Sequence, residues 1–459
     1  MENKLSMSTE KLPFHRKVLF GVGDSTFSLL FTVTMLYYLY FLTDVAGLKP
    51  VLAGTILLAV KAWDAVTDPM VGFLSDRTKS RWGRRRPYIL FGAIPLAIAY
   101  LLIWQTYPFA SGNQSLLFIT YTILALLFWT SFTVTGIPYA ALMPELTLDY
   151  DDRTSLVSAR MFFSIIFGLV AAVVPMIIVG AYPSLSKGYG MMGIVVGLFA
   201  IIPLVICFFG TQERPEFQEM ASLSLGKSLK ETVKNRPFVF AMIVFLLSWA
   251  CVDILAAVFL YYITYVMGLT VDDVPLLMGT LFVTATLFLP FWVFVSNKLG
   301  KKTAYIFGMA FWAVVMSLLF FMKPGIPLSI LVTLCFLAGI GVSTAHLIPW
   351  TMIIDCVDYD ELKTGARREG MYTGFTLFLQ KLASSISLFL IGIFLQWSGY
   401  VANMIQTDKA IFAIKFLIGP VTATLLILSI VVSFFYPITR EEHNRLRAEL
   451  DKRERGTTP

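Results

Sequence analysis

Long apolar runs, broken by short polar clusters, set the pattern of this chain. Examples are YILFGAIPLAIAYLLIWQTYPF (88–109), MMGIVVGLFAIIPLVICFFG (191–210) and IFAIKFLIGPVTATLLILSIVVSFFYP (411–437). A run of about 20 such residues crosses the hydrocarbon of a bilayer as a helix. A core helix of a soluble protein would carry a polar stripe at helical spacing, and these runs mostly lack one. The pattern predicts twelve spans, at 17–43, 51–75, 87–108, 115–142, 156–181, 189–210, 237–266, 276–297, 303–322, 328–355, 371–397 and 410–437. Polar residues interrupt the first, and the tenth carries His346 and Asp355. The fold class that follows is all-α, a polytopic membrane protein of twelve transmembrane helices.

Composition agrees. Of 459 residues, 57% are hydrophobic and only 14% charged, against about 25% charged in ordinary soluble domains. Basic residues then orient the spans. Lys4, Lys11, Arg16 and Lys17 precede the first span, and Arg77, Lys79, Arg81, Arg84, Arg85 and Arg86 separate the second from the third. Lys227, Lys230, Lys234 and Arg236 separate the sixth from the seventh, and Lys298, Lys301 and Lys302 the eighth from the ninth. The alternate loops are poorer: 109–114 is uncharged and 267–275 holds only Asp272 and Asp273. Both termini are therefore expected in the cytoplasm, with the chain in a plasma membrane, that of a bacterial inner membrane. The opening MENKLSMSTEKLPFHRK reads as a retained tail, since the span after it outruns a signal peptide and shows no obvious small-residue cleavage motif. The net charge of +7 is mostly topology. Basic residues spread over membrane-flanking loops, without a recognition module, argue against a nucleic-acid partner. Cys207, Cys251, Cys335 and Cys356 form no CxxC pair, so neither a disulfide framework nor a metal site is expected.

The polar insert TQERPEFQEMASLSLGKSLKETVKNR (211–236) divides six spans from six, and the two sides resemble each other. LYYLYFLTDVAGL (36–48) is echoed by LYYITYVMGL (260–269), and IPY (137–139) by IPW (348–350). The basic loop after the second span is echoed weakly by SNKLGKK (296–302). The expected organisation is a six-helix bundle at 1–210, a cytoplasmic central loop at 211–236, a pseudo-symmetric bundle at 237–437 and a cytoplasmic tail at 438–459. Two similar halves imply a two-lobed transporter with its solute site between the lobes near mid-membrane. A channel would instead show repeated pore loops. No covalent chemistry and no cofactor are required, and a monomer suffices.

Ionisable residues inside spans are costly, so each one is a functional candidate. Asp64 and Asp68, in KAWDAVTDPMVGF, are four residues apart and stack on one helix face. Thr67 is adjacent, and Lys61 lies three residues before Asp64. Two carboxylates and a hydroxyl are hard oxygen ligands suited to a small cation, sodium or a proton, whose binding would relieve the repulsion between the acids. The alternative is a closed salt-bridge network with Lys61, Arg160 or Lys381. Pro69 has no N–H to give to residue 65, so a bend is expected there. Asp24, in GVGDSTFS, can accept hydrogen bonds from the hydroxyls of a polar solute, or make a helix–helix bond to Ser or Tyr. Tyr37, Tyr38, Trp350 and Tyr372 are candidates to stack on a sugar ring, although aromatic residues also anchor membrane interfaces. Asp76, Arg77, Arg84 and Arg85, with Asp355 at the end of the tenth span, are candidates for a charged cytoplasmic gate that breaks as the lobes rock. A solvated topogenic loop is the rival for that stretch.

The sequence resembles the glycoside–pentoside–hexuronide:cation symporters, the melibiose-permease group of the major facilitator superfamily. The resemblance covers essentially the whole chain and rests on GVGDS (21–25), YYLYFLTDVAGL (37–48), WDAVTDPMVGFLSDRTKSRWGRRRP (63–87), IPYAALMPELT (137–147), DCVDYDELKTGARREG (355–370) and LQKLASS (379–385). It implies a sodium, lithium or proton site at Asp64 and Asp68, with Thr67 at a usual polar-ligand position and Thr133 at the hydroxyl position of the fourth span. It implies that Lys381 lies near that site, that Asp24 binds sugar, and that Arg160 lies near it. Lys61 stands where melibiose permeases have an arginine. Those permeases carry a second sugar-binding acid just before the Ile-Pro pair, and here Gly136 stands in its place. Related branches carry lysophospholipids or sucrose. The implied function is cation-coupled symport of a sugar or glycoside by alternating access. The alternative is cation-coupled transport of a lysophospholipid or other amphiphile on the same fold.

Overall fold

The computed structural model describes residues 12–146, 150–213, 235–364 and 369–439, together with 441–442, 445–446 and 449. Among these residues twelve helices are long and apolar enough to cross a membrane. They are α1 (Phe14–Val45), α2 (Pro50–Ser75), α3 (Arg86–Ile103), α4 (Gln114–Met143), α5 (Ser155–Gly180) and α6 (Leu185–Gly210) in the first half. The second half has α7 (Arg236–Met267), α8 (Val274–Leu299), α9 (Lys301–Phe321), α10 (Leu328–Lys363), α11 (Gly374–Trp397) and α12 (Asp408–Phe434). The chain divides into two compact units, Met1–Ala221 and Ser222–Pro459. Most of the expected central loop (214–234) and much of the expected tail lie outside the described residues.

Both units use one pairing scheme. In the first, α1 packs on α5 and α6, while α4 packs on α2 and α3, and α3 on α6. In the second, α7 packs on α11 and α12, while α10 packs on α8 and α9, and α9 on α12. The similarity of 36–48 to 260–269 has a structural counterpart. Near each tyrosine doublet the helix widens into a π-helical turn, Phe41–Val45 beyond Tyr38 in α1 and Tyr262–Met267, which begins on the second tyrosine, in α7.

Exposed apolar stripes complete the picture. On α9, Phe307, Phe311, Val314, Leu318 and Phe321 line one face at helical spacing, and Ile119, Ile123 and Leu127 do so on α4. In water such stripes would drive aggregation, whereas hydrocarbon solvates them. Prolines 69, 95, 175, 349 and 420 all lie inside helices, which neighbouring helices tolerate within a membrane. The helix carrying Pro69 runs without interruption from Pro50 to Arg77.

Boundaries shift where local chemistry outweighs hydropathy. The sixth span starts at Leu185 rather than 189, because the Ser184 side chain caps it by accepting from the Lys187 N–H at 3.4 Å. The third stops at Ile103, and the chain then turns through Pro108–Ala110. The tenth continues past 355 as helix to Thr364, which places Asp355 inside it.

The basic loop between α2 and α3 closes on its own half. The Glu213 carboxylate accepts from the backbone N–H groups of Arg84 at 2.7 Å and of Arg85 and Arg86 at 2.8 Å. An anion there satisfies donors that the start of α3 leaves open and meets the positive end of its dipole. Gly83 makes room: its φ is +102°, and a Cβ would lie 2.5 Å from the Glu213 carboxyl carbon. The Arg86 side chain ties the same corner to α6 by donating to the Phe208 carbonyl at 2.7 Å. Glu213→Ala removes the shared acceptor and is expected to cost about 1 kcal/mol. A lowered thermal unfolding midpoint in detergent, with Glu213→Gln intermediate, is the measurement that checks it.

Candidate functional site

The first half gathers most of the candidate residues onto α1, α2, α4 and α5. The turn of α1 tightens at Gly23, whose N–H bonds back to Phe20 at 3.0 Å. Tyr139 of α4 donates its hydroxyl to the same Phe20 carbonyl at 3.0 Å and stacks on the Phe20 ring at 4.9 Å. Asp24 follows this turn and is 3% exposed. Its Oδ1 accepts from Arg160 Nε of α5 at 2.6 Å, and the arginine side chain keeps 29% exposure. The sequence offered Ser or Tyr as a helix–helix partner for Asp24, and the partner is Arg160. Gly21 permits the approach, since a Cβ there would lie 2.8 Å from the backbone of Ala159.

One face of α2 carries the second group. Asp64 is 2% exposed, and its Oδ2 receives Lys61 Nζ at 3.1 Å. The same ammonium lies 3.3 Å from the centre of the Trp129 ring of α4, an arrangement that stabilises a cation with little water. One turn on, Asp68 Oδ1 accepts from Thr133 Oγ1 of α4 at 2.9 Å. Thr67 is buried and donates to the Trp63 carbonyl at 3.2 Å, while Trp63 Nε1 donates to Thr130 at 2.9 Å. Asp68 and Thr133 thus meet across α2 and α4, one helical turn from an Asp64 that already holds an ammonium. No cluster of three or more His, Cys, Asp or Glu occurs among the described residues.

Other candidates go elsewhere. Tyr37 is fully buried, with its hydroxyl donated to the Ala172 carbonyl of α5 at 2.6 Å. Tyr372 is also fully buried: it accepts from Asn235 Nδ2 at 2.8 Å and meets the Phe238 ring edge-on at 4.8 Å. Both rings are used in helix packing and present no face to a solute here. Trp350 is half-buried on α10, against Phe245 at 5.0 Å. Lys381 stands on α11 of the second half. Arg77 lies over the Phe73 ring at 3.8 Å, and Arg85 Nη1 donates to Ser75 at 3.5 Å. Asp355 pairs with Lys301 of α9 at 2.6 Å. The side chain of Asp76 lies outside the described residues. Two further charged residues lie in spans of the second half: Asp253 is 1% exposed inside α7, and Lys415 of α12 donates to the Met322 carbonyl at 2.8 Å.

A family model described as MFS/sugar transport protein matches residues 19–440. The chain belongs to that family. It is 32% identical to an uncharacterized symporter of Synechocystis, sll1374, over 98% of this chain and 99% of the relative. It is 29% identical to a putative glycoside/cation symporter of Escherichia coli, YagG, over 96% of both chains. A similar level, 29% over 95% of this chain and 88% of the relative, relates it to a sodium-dependent lysophosphatidylcholine symporter of Danio rerio. Within this sugar-transport family member, Tyr139, Trp129 and Glu213 are residues that sequence reasoning did not single out. Only Tyr139 had a signal, its place in the repeated Ile-Pro-aromatic triplet.

The Asp24–Arg160 pair yields a test of its own. Removing one member strands a buried charge, which costs about 3–5 kcal/mol, whereas replacing both can be much milder. Arg160→Ala is therefore expected to destabilise the protein more than Asp24→Asn combined with Arg160→Gln. Denaturation in detergent around this cycle checks the order, and a double variant worse than the single one would refute it.

Proposed function

We propose that this protein is a secondary active transporter of the glycoside–pentoside–hexuronide:cation branch, coupling a sugar or glycoside to sodium by alternating access. The observation that carries the reading is the division of labour in the first half. Asp64 and Asp68, with Thr67 and Thr133, form an oxygen face for a cation, and Asp24 with the partly open guanidinium of Arg160 forms a separate polar pair for a solute.

The cycle follows from charge. A monovalent cation between Asp64 and Asp68 offsets a repulsion that is large where little water screens it. When the ion departs, Lys61 keeps Asp64 compensated. The solute offers hydroxyl donors to Asp24 and acceptors to the guanidinium N–H groups of Arg160. Ion and solute each raise the affinity of the other by the same factor, because the coupling free energy is reciprocal. Lys381 belongs to the charge network of the ion. Asp76, Arg77, Arg84, Arg85 and Asp355 serve as the cytoplasmic gate. The chain sits in a bacterial inner membrane with both termini in the cytoplasm and works as a monomer. Sodium is favoured over protons and lithium because the Danio rerio relative is described as sodium-dependent. That relative also supports the second reading, a lysophospholipid as the solute.

Proteoliposomes given sodium or proton gradients separately, with neutral glycosides, pentosides, hexuronides and lysophosphatidylcholine, distinguish these. A glycoside is expected to accumulate on a sodium gradient. Asp68→Cys should abolish accumulation while leaving exchange of labelled solute across the membrane. Accumulation by that variant would overturn the ion assignment, and accumulation of lysophosphatidylcholine alone would favour the second reading.

A further inference from the structure

The connection between α11 and α12 is longer and more apolar than a turn requires. It runs from 398 to 407, whereas the corresponding connection of the first half, between α5 and α6, takes only 181–184. Val401 is 53% exposed, Met404 62% and Ile405 101%. Trp397, the last residue of α11, is 70% exposed and ends a stripe of Ile386, Leu390 and Ile393 at helical spacing. Apolar side chains turned this fully outward are costly against water and mark a contact with something less polar.

The loop is held in shape. Tyr400 sits edge-on between Tyr261 and Tyr265 of α7, at 5.5 and 5.4 Å, and the Tyr265 hydroxyl accepts from the Asn403 N–H at 3.0 Å. Asn403 takes the left-handed conformation, with φ +57°, which asparagine adopts more readily than most residues. The buried Gln406 side chain closes the turn from inside. Its Oε1 accepts from the Val401 N–H at 3.2 Å, and its Nε2 donates to the carbonyls of Val401 and of Met404, the latter at 2.8 Å. A loop in water can leave its backbone polar groups to the solvent. One that enters a less polar medium has to satisfy them internally, and here an amide does so directly behind the exposed apolar side chains.

Two contacts set the depth. Tyr261 and Tyr265 precede the end of α7 at Met267, so the loop folds back level with the last turns of that span instead of standing out in water. Lys409 Nζ donates to the Trp397 carbonyl at 3.2 Å and lies 4.8 Å from the centre of its ring. Lysine paired with tryptophan at the end of a span suits the headgroup level of a bilayer.

We propose that Val401, Met404 and Ile405, with Trp397, form a foot that dips into the interfacial layer of the leaflet at this end of the second half. Its partner is the headgroup–acyl boundary of the bilayer itself. The foot fixes the depth of the α11–α12 hairpin, whichever solute the protein carries.

The test uses the full-length protein in vesicles of phosphatidylcholine and phosphatidylglycerol. The native cysteines are buried, so a thiol-reactive bimane placed on Ile405→Cys reports from that position, with labelled wild type as the background. Asp272→Cys, in the exposed α7–α8 turn at the same end of the half, is the comparison. Lipid brominated near the heads of its chains should remove roughly half of the emission at 405 and little at 272, because interfacial apolar groups reach about 5–10 Å into the headgroup–acyl boundary. Iodide on both sides of the membrane should quench 272 and spare 405. In Val401→Cys, adding Ile405→Asp should raise quenching by iodide and lower that by bromine. If Ile405→Cys does not insert, Met404→Cys repeats the measurement. Equal iodide quenching at 405 and 272 would overturn the proposal. Shielding at 405 from both quenchers overturns it as well and makes another protein the occupant, a second copy if Ile405→Cys then forms a disulfide-linked dimer.

Discussion

An ionised side chain in hydrocarbon is costly unless a countercharge, a backbone group or water compensates it, and this constraint governs where the chemistry of the molecule sits. Among the described residues, acids inside or at the ends of spans meet a base within their own half: Asp24 with Arg160, Asp64 with Lys61, and Asp355 with Lys301. Each pair fixes a helix contact or a helix face. Asp24–Arg160 ties α1 to α5, Lys301–Asp355 ties α9 to α10, and Lys61–Asp64 stays on α2 with its ammonium turned onto a ring of α4. A half that carries its own counter-charges can keep its internal packing as it moves, which is what a rocking mechanism asks of a lobe.

The same constraint makes the pairs usable. A buried pair closed by further hydrogen bonds is only structural, whereas one with an open edge can exchange a partner for a ligand. Arg160 binds Asp24 through Nε, and its side chain is more exposed than the carboxylate. Around Asp68, the hydroxyl of Thr133 on α4 supplies one contact at 2.9 Å. Lys61 with Trp129 shows that this corner of the half already suits a monovalent positive charge.

Much of this was legible in the sequence, and the limits have physical reasons. Spans follow from hydropathy because the bilayer imposes one length scale. The repeat followed from the tyrosine doublets, each of which lies at or just ahead of a π-helical turn, in α1 and in α7. Asp64 and Asp68 stood out because charge is scarce in such a chain. Aromatic residues did not, since at 15% of the chain they carry little information singly. Tyr37 and Tyr372 looked like solute contacts and are spent on packing, while Trp129 passed unremarked. Glu213 could not be read at all: its role depends on a loop folding back on the start of α3, and no local pattern announces that.

Gly136 connects these points to specificity. Where the resembled permeases have a second sugar-binding acid, a Cβ would lie 3.2 Å from the Phe27 ring, and Phe27 is held in place by Phe132 at 5.4 Å and Tyr139 at 5.0 Å. The glycine and the ring therefore belong together: the space of an acid is given to an aromatic side chain packed beside Asp24 on the same helix. The first half is left with one carboxylate at this corner, Asp24, already neutralised by the guanidinium of Arg160.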